Sequence, residues 1–204
     1  MSGQRIWCPL SSEVNEAMNG VRTIGGNWRR RVLSFPDSEG LRPTPDRVRE
    51  TVFNWLGQDL SGQTCLDLFA GSGALGFEAA SRGATKVVMV DSSAKVISAL
   101  QANAKILDPE GRLQIVRGDA VKFASSLCAG GSRFDVVFLD PPYKQGWIER
   151  LSLCLPDLLN DGGLLYVEAE FAITEGYGLA TLRSGRAGQV YYHLMQKGGA
   201  DDAE

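Results

Sequence analysis

The sequence predicts an α/β fold, with a doubly wound and mostly parallel sheet. From residue 63 onward, short apolar runs alternate with helical patterns. The first run leads into a glycine-rich loop, and a later run ends at the tetrapeptide Asp-Pro-Pro-Tyr of residues 140–143. A repeated strand–helix order is typical of parallel sheets, whose strands are joined by crossover helices. At 204 residues and 44% hydrophobic, the chain is long enough for one substantial core.

The sheet strands are predicted from runs rich in Val, Leu and Phe with little alternation, which is typical of strands buried on both faces. They are Thr64–Ala70, Lys86–Val90, Leu113–Val116, Asp135–Leu139 and Gly163–Val167. The stretches between them are compatible with helices: Ala74–Ser81, Ala94–Ile106, Ala120–Leu127 and Trp147–Leu159. An antiparallel hairpin is predicted near the end, from Leu179–Arg183 and Gln189–Gln196, joined through residues 184–188.

The segment before residue 63 is predicted to be a small arm on this core. Val21–Ile24 and Arg31–Phe35 are compatible with a hairpin around a Gly-Gly-Asn turn. A helix follows, with Thr44 as its predicted N-cap and Pro45 at the first helical position.

Composition excludes several classes of protein. No run of about 18 apolar residues suggests a membrane span, and the N-terminus lacks a secretion-signal pattern, so we expect a cytoplasmic protein. The four cysteines are far apart and the one histidine, His193, stands alone, which predicts no metal site.

The charge of the chain is unevenly distributed. The net charge is −3, yet residues 22–49 hold seven arginines against three acids, or +4, leaving −7 on the rest. This basic stretch is either a phosphate-binding patch or a solvated face.

The glycine-rich loop predicts an adenosine-containing ligand. Gly71, Gly73 and Gly76 match the pattern G-x-G-x-x-G, and Asp91 follows the next strand at the spacing expected of an acid that binds ribose hydroxyls. Asp119, after the third strand, is either an acceptor for an adenine amine, or a helix N-cap, or both. The residues predicted to bind the cofactor are Asp67, Ala70, Gly71, Ser72, Gly73, Asp91, Ser92, Asp119 and Ala120.

The charge near this loop favours S-adenosylmethionine over a dinucleotide. A dinucleotide site places a pyrophosphate at the helix N-terminus, where acids are unfavourable. Here Asp67 stands just before the loop, a position suited to a ligand with a positive charge. S-adenosylmethionine has a cationic ammonium and sulfonium, a ribose and an adenine, and no phosphate.

The tetrapeptide Asp140, Pro141, Pro142 and Tyr143 is predicted to hold an amine for methyl transfer. Each proline lacks an N–H and restricts the residue before it, so the segment is rigid and presents only acceptors. Acceptors on both N–H bonds of a nucleobase amine favour a pyramidal nitrogen whose lone pair points at the methyl donor. Tyr143 adds a stacking face. Positioning and electrostatics are then sufficient, with no covalent intermediate.

These motifs and their flanks resemble the RsmD-type ribosomal RNA (guanine-N2)-methyltransferases of bacteria. The resemblance runs from about Arg22 to Lys197, through TIGGNWRRRVLSFPDSEGLRPTPDRVRETVFNWL, LDLFAGSGALGFEAASRGA and AGQVYYHLMQK. It implies a Rossmann-like seven-stranded sheet and S-adenosylmethionine as cofactor. It also implies that residues 140–143 hold one guanine of 16S rRNA. The sequence leaves naked RNA, a partly assembled particle and the finished subunit open as substrates; we expect a small-subunit assembly particle and a monomeric enzyme.

The resemblance also divides the chain and assigns its arginines. Residues 1–20 are an extension outside the family pattern, 21–62 the arm, 63–197 the methyltransferase domain and 198–204 a disordered tail. The basic arm is then expected to clamp RNA, with Trp28 either stacking on a base or packing the arm onto the core. The predicted RNA contacts are Arg22, Arg29, Arg30, Arg31, Arg42 and Lys144.

Other functions are compatible with parts of the sequence. A DNA or another RNA methyltransferase acting on adenine-N6 or cytosine-N4 shares both motifs, although a DNA enzyme normally carries a target-recognition insertion that this chain lacks. Protein-glutamine methyltransferases have Asn where this chain has Asp140. A dinucleotide-dependent dehydrogenase has no use for Asp-Pro-Pro-Tyr, and a non-catalytic RNA-binding protein has no need of the cofactor loop.

Overall fold

The computed structural model of the chain describes residues 18–37, 44–108, 110–173 and 177–197. The arm contains two strands, β1 (Met18–Arg22) and β2 (Val32–Pro36), and the helix α1 (Asp46–Leu56). Its first strand thus begins at Met18, inside the segment that the sequence assigns to the extension. Residues 1–17, the predicted tail 198–204 and Arg42 lie outside the described residues.

The core alternates strands and helices in the predicted order. The strands are β3 (Thr64–Asp67), β4 (Lys86–Asp91), β5 (Leu113–Arg117), β6 (Phe134–Leu139), β7 (Leu159–Ala169), β8 (Leu179–Ala187) and β9 (Val190–Lys197). The helices are α2 (Ala74–Ser81), α3 (Ala94–Leu107), α4 (Ala120–Ala129) and α5 (Trp147–Leu151).

Seven strands form the main sheet, in the order β5-β4-β3-β6-β7-β9-β8. Strands β3 to β7 pair in parallel, whereas β9 is antiparallel to both β7 and β8. The predicted Rossmann-like sheet with a C-terminal antiparallel hairpin is therefore confirmed. Strands β1 and β2 form a separate antiparallel hairpin.

Two apolar layers cover the two faces of the sheet. In β4, Val87 and Met89 pack into the layer that contains α1, α2 and α3, while Val88 and Val90 pack into the layer with α4 and α5. Successive side chains of a strand point to opposite faces, so a strand covered on both sides needs an unbroken apolar run. All four residues are at most 2% exposed, as this requires.

Three predicted boundaries are wrong. Pro45, rather than Thr44, occupies the N-cap position of α1, and no side chain caps that helix end. The helix predicted to reach Leu159 ends at Leu151, and a short 3-10 turn at Pro156–Leu158 follows. The final hairpin is longer than predicted because its turn tightens to two residues, with Gly188 in the left-handed region at φ 62°.

Buried polar groups attach the arm to α2. The carboxylate of Glu78 is fully buried and accepts hydrogen bonds from the backbone N–H groups of Ile24 and Gly25, both at 2.7 Å, and from Arg82 Nε at 2.9 Å. Gly26 has φ 69°, and a Cβ there would lie 1.9 Å from the carbonyl oxygen of Ser81. Only glycine allows the arm to approach the helix so closely.

Apolar contact and a second buried charge complete this junction. Trp28 is 9% exposed and its ring lies 6.3 Å from that of Phe77, so it packs the arm onto the core, and the alternative that it stacks on RNA is wrong. The fully buried guanidinium of Arg49 donates to the carbonyl oxygens of Arg22 at 2.8 Å and Thr44 at 3.2 Å. These contacts join β1, α1 and α2 into one unit.

No helix within the four described ranges is long and apolar enough to cross a membrane. The same residues contain no group of three or more His, Cys, Asp or Glu side chains placed to hold a metal ion. His193 lies buried in β9, where its Nε2 accepts a hydrogen bond of 3.1 Å from the backbone N–H of Ile173.

Candidate active site

The site lies where the sheet reverses its strand order. From β3 the chain winds outward through β4 to β5 and then returns to place β6 on the other side of β3. Helices on either side of such a switch point diverge, which leaves a crevice beyond the carboxyl ends of the two central strands. A cavity of about 840 Å³ occupies this position, lined by Leu68 and Phe69 just before the glycines, by residues 140–143, and by Thr44 and Pro45 of the arm.

The glycine-rich loop turns sharply beneath the cavity. Ala70 N–H bonds to the Val90 carbonyl at 2.9 Å, Gly73 N–H bonds to the Ala70 carbonyl at 2.7 Å, and α2 begins directly afterwards. Gly73 has φ 78°, and a Cβ there would lie 2.6 Å from Phe77 and 2.7 Å from Leu100. Of the predicted cofactor residues, Asp67, Ala70, Gly71, Ser72 and Gly73 form this loop without lining the cavity wall.

Asp67 contributes a buried carboxylate with an unused acceptor. Its Oδ2 accepts a hydrogen bond of 3.1 Å from Gly76 N–H, whereas Oδ1 is buried and has no partner among the described residues. Burial raises the pKa of Asp67 from 3.8 to about 7. A buried carboxylate oxygen without a hydrogen-bond partner destabilises the folded protein, and a cationic group of a ligand would offset that loss.

The remaining predicted cofactor residues line the cavity. Asp91 accepts hydrogen bonds from the N–H groups of Gly71 at 3.1 Å and Ser93 at 2.8 Å, and burial raises the pKa of Asp91. Asp119 caps α4 by accepting from Lys122 N–H at 3.0 Å, so its predicted N-cap role is confirmed. Asp91, Ser92, Asp119 and Ala120 all reach the cavity wall, together with Phe69.

The charge of the cavity lining fits S-adenosylmethionine. Among the described residues that line the cavity, none is Lys or Arg, while four are Asp or Glu. Such a wall repels a pyrophosphate and attracts an ammonium or sulfonium group. Asp67 would face the ammonium, Asp91 the ribose and Asp119 the adenine amine.

Asp140, Pro141, Pro142 and Tyr143 form the other half of the cavity. They follow β6 directly, and Tyr143 is 44% exposed, which leaves its ring available for stacking. Asp140 Oδ2 accepts a hydrogen bond of 3.0 Å from Thr44 Oγ1. Burial, with the nearby charge of Glu168, raises the pKa of Asp140 well above its ordinary value.

The structure adds functional residues that the sequence reasoning missed. Thr44 comes from the arm and reaches Asp140 across 96 positions of sequence. Glu168, at the end of β7, lines the same cavity, is 4% exposed and accepts a 2.8 Å hydrogen bond from the Tyr166 hydroxyl. Burial raises the pKa of Glu168 as well. The available signal was an acid inside the otherwise apolar run LLYVEA.

The predicted RNA contacts are not part of the cavity. Arg22, Arg29, Arg30 and Arg31 are exposed on the arm, and none of them lines the cavity. Arg29 instead borders a separate polar depression of about 420 Å³. Lys144 is exposed just after Tyr143, with its backbone N–H bonded to the Glu170 carboxylate.

Comparison with known proteins identifies the family. The model of the family described as conserved hypothetical protein 95 matches residues 21–196. The ribosomal RNA small subunit methyltransferase D of Escherichia coli strain K12 is 42% identical, over 87% of this chain and 90% of its own length. The protein of the same name from Haemophilus influenzae is 40% identical, over 88% and 95%.

A solved structure gives the same assignment. The putative methyltransferase yhhF from Escherichia coli is 40% identical and superposes with a TM-score of 0.78, covering 89% of this chain and 99% of that one. Both motifs of the cavity and most of the arm lie inside the matched range of the family model. The chain therefore belongs to the conserved hypothetical protein 95 family, the RsmD-type ribosomal RNA small subunit methyltransferases.

Proposed function

We propose that this protein transfers a methyl group from S-adenosylmethionine to the exocyclic N2 amine of one guanine in 16S rRNA. The main support is that one cavity at the switch point of the sheet is lined by Asp91 and Asp119 on one side and by residues 140–143 on the other. Relatives more than 40% identical carry the name ribosomal RNA small subunit methyltransferase D, which supports this substrate.

The acidic half of the cavity orients the cofactor. Asp67 Oδ1, which lies behind the cavity wall without a partner among the described residues, would accept from the cationic ammonium. The Asp91 carboxylate would bind ribose hydroxyls through lone pairs other than those that accept from Gly71 and Ser93. Asp119 keeps one oxygen for the adenine amine while the other caps α4. Bound S-adenosylmethionine supplies an electrophilic methyl group on a sulfonium.

The other half of the cavity prepares the nucleophile. The Asp140 carboxylate and the Pro141 carbonyl accept hydrogen bonds from the two N–H groups of the target amine, which directs its lone pair toward the cofactor half. As the N–CH3 bond forms and the S–CH3 bond breaks, S-adenosylhomocysteine is the leaving group and the Asp140 carboxylate takes the proton that the amine loses. Thr44 holds Asp140 through its hydroxyl at 3.0 Å, so the acceptor is positioned before the base arrives. Tyr143 stacks on the base, which contributes about 1–3 kcal/mol. The base reaches the cavity only when it is unpaired or extruded.

The exposed arginines of the arm and Lys144 hold the RNA outside the cavity. Arg22 ends β1, residues 29–31 lie between β1 and β2, and Lys144 directly follows Tyr143; all of these side chains are exposed. Contacts to phosphate supply affinity that is independent of sequence. We propose that the enzyme acts as a monomer in the cytoplasm, on 16S rRNA within a small-subunit assembly particle.

Transfer of labelled methyl tests the proposal directly. Unmethylated small subunits and their naked rRNA are incubated with labelled S-adenosylmethionine and the protein, and the RNA is digested to nucleosides. We expect label in N2-methylguanosine. Label in another nucleoside would contradict the base, and no label in either RNA, with the cofactor demonstrably bound, would contradict the RNA substrate.

An Asp140→Ala variant tests the mechanism. It is expected to lose nearly all transfer while its affinity for S-adenosylhomocysteine stays close to that of the wild type, because Asp140 faces the base. The matched control is Asp161→Ala, which removes an exposed acid near the opposite end of the sheet. Turnover of Asp140→Ala at the wild-type rate would refute the role of Asp140.

A further inference from the structure

Glu168 is a second carboxylate on the base-binding side of the cavity. Strands β6 and β7 are parallel, and Leu139 pairs with Val167, so Asp140 and Glu168 follow paired positions on neighbouring strands. Both residues line the cavity beside Tyr143. The mechanism proposed above needs only Asp140 and the Pro141 carbonyl, which leaves Glu168 without a role.

Glu168 is held in place by donors that approach from the protein side. The Tyr166 hydroxyl donates to Oε1 at 2.8 Å, and Tyr166 is itself fully buried in the core. The Thr44 hydroxyl donates to Asp140 Oδ2 at 3.0 Å, and its proximity to Glu168 acts to lower the pKa of that carboxyl. A carboxylate has about four acceptor positions, so each acid retains free lone pairs for a ligand in the cavity.

Glu168 is buried and Asp140 is half-buried, and no Lys or Arg among the described residues lines the cavity, so N–H donors of a ligand would satisfy their free oxygens. In their ionised form the two carboxylates repel each other and offer only acceptors to a ligand. A ligand that presents two N–H donors on neighbouring atoms satisfies both acids together. A ligand that presents one donor and one acceptor satisfies only one acid and places a lone pair against the other.

We propose that Glu168 accepts the N1–H of the target base while Asp140 accepts its N2–H, so that this pair selects guanine. Guanine presents adjacent N1–H and N2–H donors on its Watson–Crick edge. Adenine presents a donor at N6 and an acceptor at N1, and cytosine a donor at N4 and an acceptor at N3. The inference rests on the proposed function and explains why a guanine, rather than another base with an exocyclic amine, is modified.

The test uses 2-aminopurine in place of the target guanine. This base keeps the N2 amine but has an acceptor at N1, and it also lacks the O6 group. It is introduced at the target position of 16S rRNA by splinted ligation, and methylation is compared with that of the guanine-containing RNA in the same assembly state. The wild type is expected to favour guanine by a factor of about 100 or more, because a buried acceptor facing a ring acceptor stays unsatisfied.

A Glu168→Gln variant isolates the contribution of Glu168. Its amide still accepts from Tyr166 and can turn its NH2 toward an N1 acceptor, so the preference for guanine is expected to fall to about tenfold or less. Any discrimination that depends on O6 remains in this variant. The matched control is Asp161→Asn, an exposed acid near the amino end of the same strand, and it is expected to keep the wild-type preference.

Each outcome has a separate meaning. Failure of the wild type to methylate guanine in any small-subunit RNA would refute the proposed function itself. If the wild type methylates guanine and 2-aminopurine equally, the role of Glu168 is refuted without any variant. An unchanged preference in Glu168→Gln, with the melting temperature and S-adenosylhomocysteine affinity of the wild type, would also refute it. A lower preference with these two properties retained supports it.

Discussion

Asp67 is expected to destabilise the cofactor-free protein at neutral pH and yet to be required for cofactor binding. Its carboxyl is buried, its Oδ1 has no partner among the described residues, and burial raises its pKa from 3.8 to about 7. A carboxyl with a raised pKa favours the folded state only while it is protonated. Its contribution is complete below pH 3.8 and is lost as the pH rises through about 7.

The size of this loss follows from the pKa values. A rise from 3.8 to about 7 corresponds to ~4 kcal/mol at 1.36 kcal/mol for each pH unit. Asp67→Asn removes the charge, while the amide oxygen still accepts from Gly76 N–H. The amide NH2 then occupies the place of Oδ1 without a partner, which costs about 1–3 kcal/mol. We therefore expect the variant to be more stable than the wild type by about 1–3 kcal/mol at pH 8, and the difference to vanish at pH 5.

Urea denaturation of the cofactor-free proteins from pH 5 to pH 8 measures this difference. Calorimetric titration with S-adenosylhomocysteine, which keeps the ammonium, measures binding over the same range. Wild-type affinity is expected to rise between pH 6 and pH 8 as Asp67 ionises, and Asp67→Asn is expected to bind about 10–100-fold more weakly at pH 8. Equal stabilities at pH 8, or equal affinities there, would refute the assignment of Asp67 to a cationic group.

Three further perturbations concern the arm. Thr44→Val removes the hydroxyl that positions Asp140 and is expected to lower kcat about tenfold while S-adenosylhomocysteine affinity is unchanged; an unchanged kcat would contradict it. Arg49→Met leaves the buried Glu78 with one cation fewer. The free energy of unfolding, measured by urea denaturation, is expected to fall by about 3–5 kcal/mol. A loss below about 1 kcal/mol would show that the buried charge of Arg49 is dispensable. Replacing residues 29–31 with Ala is expected to weaken RNA binding and to flatten its salt dependence, measured by filter binding from 50 to 200 mM salt; an unchanged slope would make these arginines a solvated face.

Each part of the site that the sequence predicts is a single short segment of the chain. The glycine-rich loop and the Asp-Pro-Pro-Tyr segment each follow a strongly apolar strand, and the rule that ligands bind beyond the carboxyl ends of parallel strands places them together. The positive φ of Gly73 and the capping bond of Asp119 are local properties that residue type already indicates. Local chemistry is therefore sufficient for both halves of the cavity.

The parts that the sequence does not predict depend on contacts between distant segments. Thr44 has the residue type of an N-cap, but the hydroxyl bonds to Asp140 and leaves the cap position to Pro45. A local preference of about 1 kcal/mol is overridden by a hydrogen bond to the half-buried carboxylate of Asp140. Glu168 stands out in the sequence only as an acid in an apolar run, and its position beside Asp140 follows from the pairing of β6 with β7.

The arm is consequently part of the cavity, through Thr44 and Pro45, as well as the segment predicted to bind RNA. Its hairpin is fixed to α2 by Glu78 and Trp28, and Arg49 bonds the carbonyl oxygen of Thr44 at 3.2 Å. The Thr44 hydroxyl in turn bonds Asp140. If RNA binds the arm as proposed, its contacts would be transmitted to Asp140 through this continuous series of buried and half-buried contacts. Weakening the junction at Arg49 should lower kcat even under conditions where the protein remains folded and its cofactor affinity is intact.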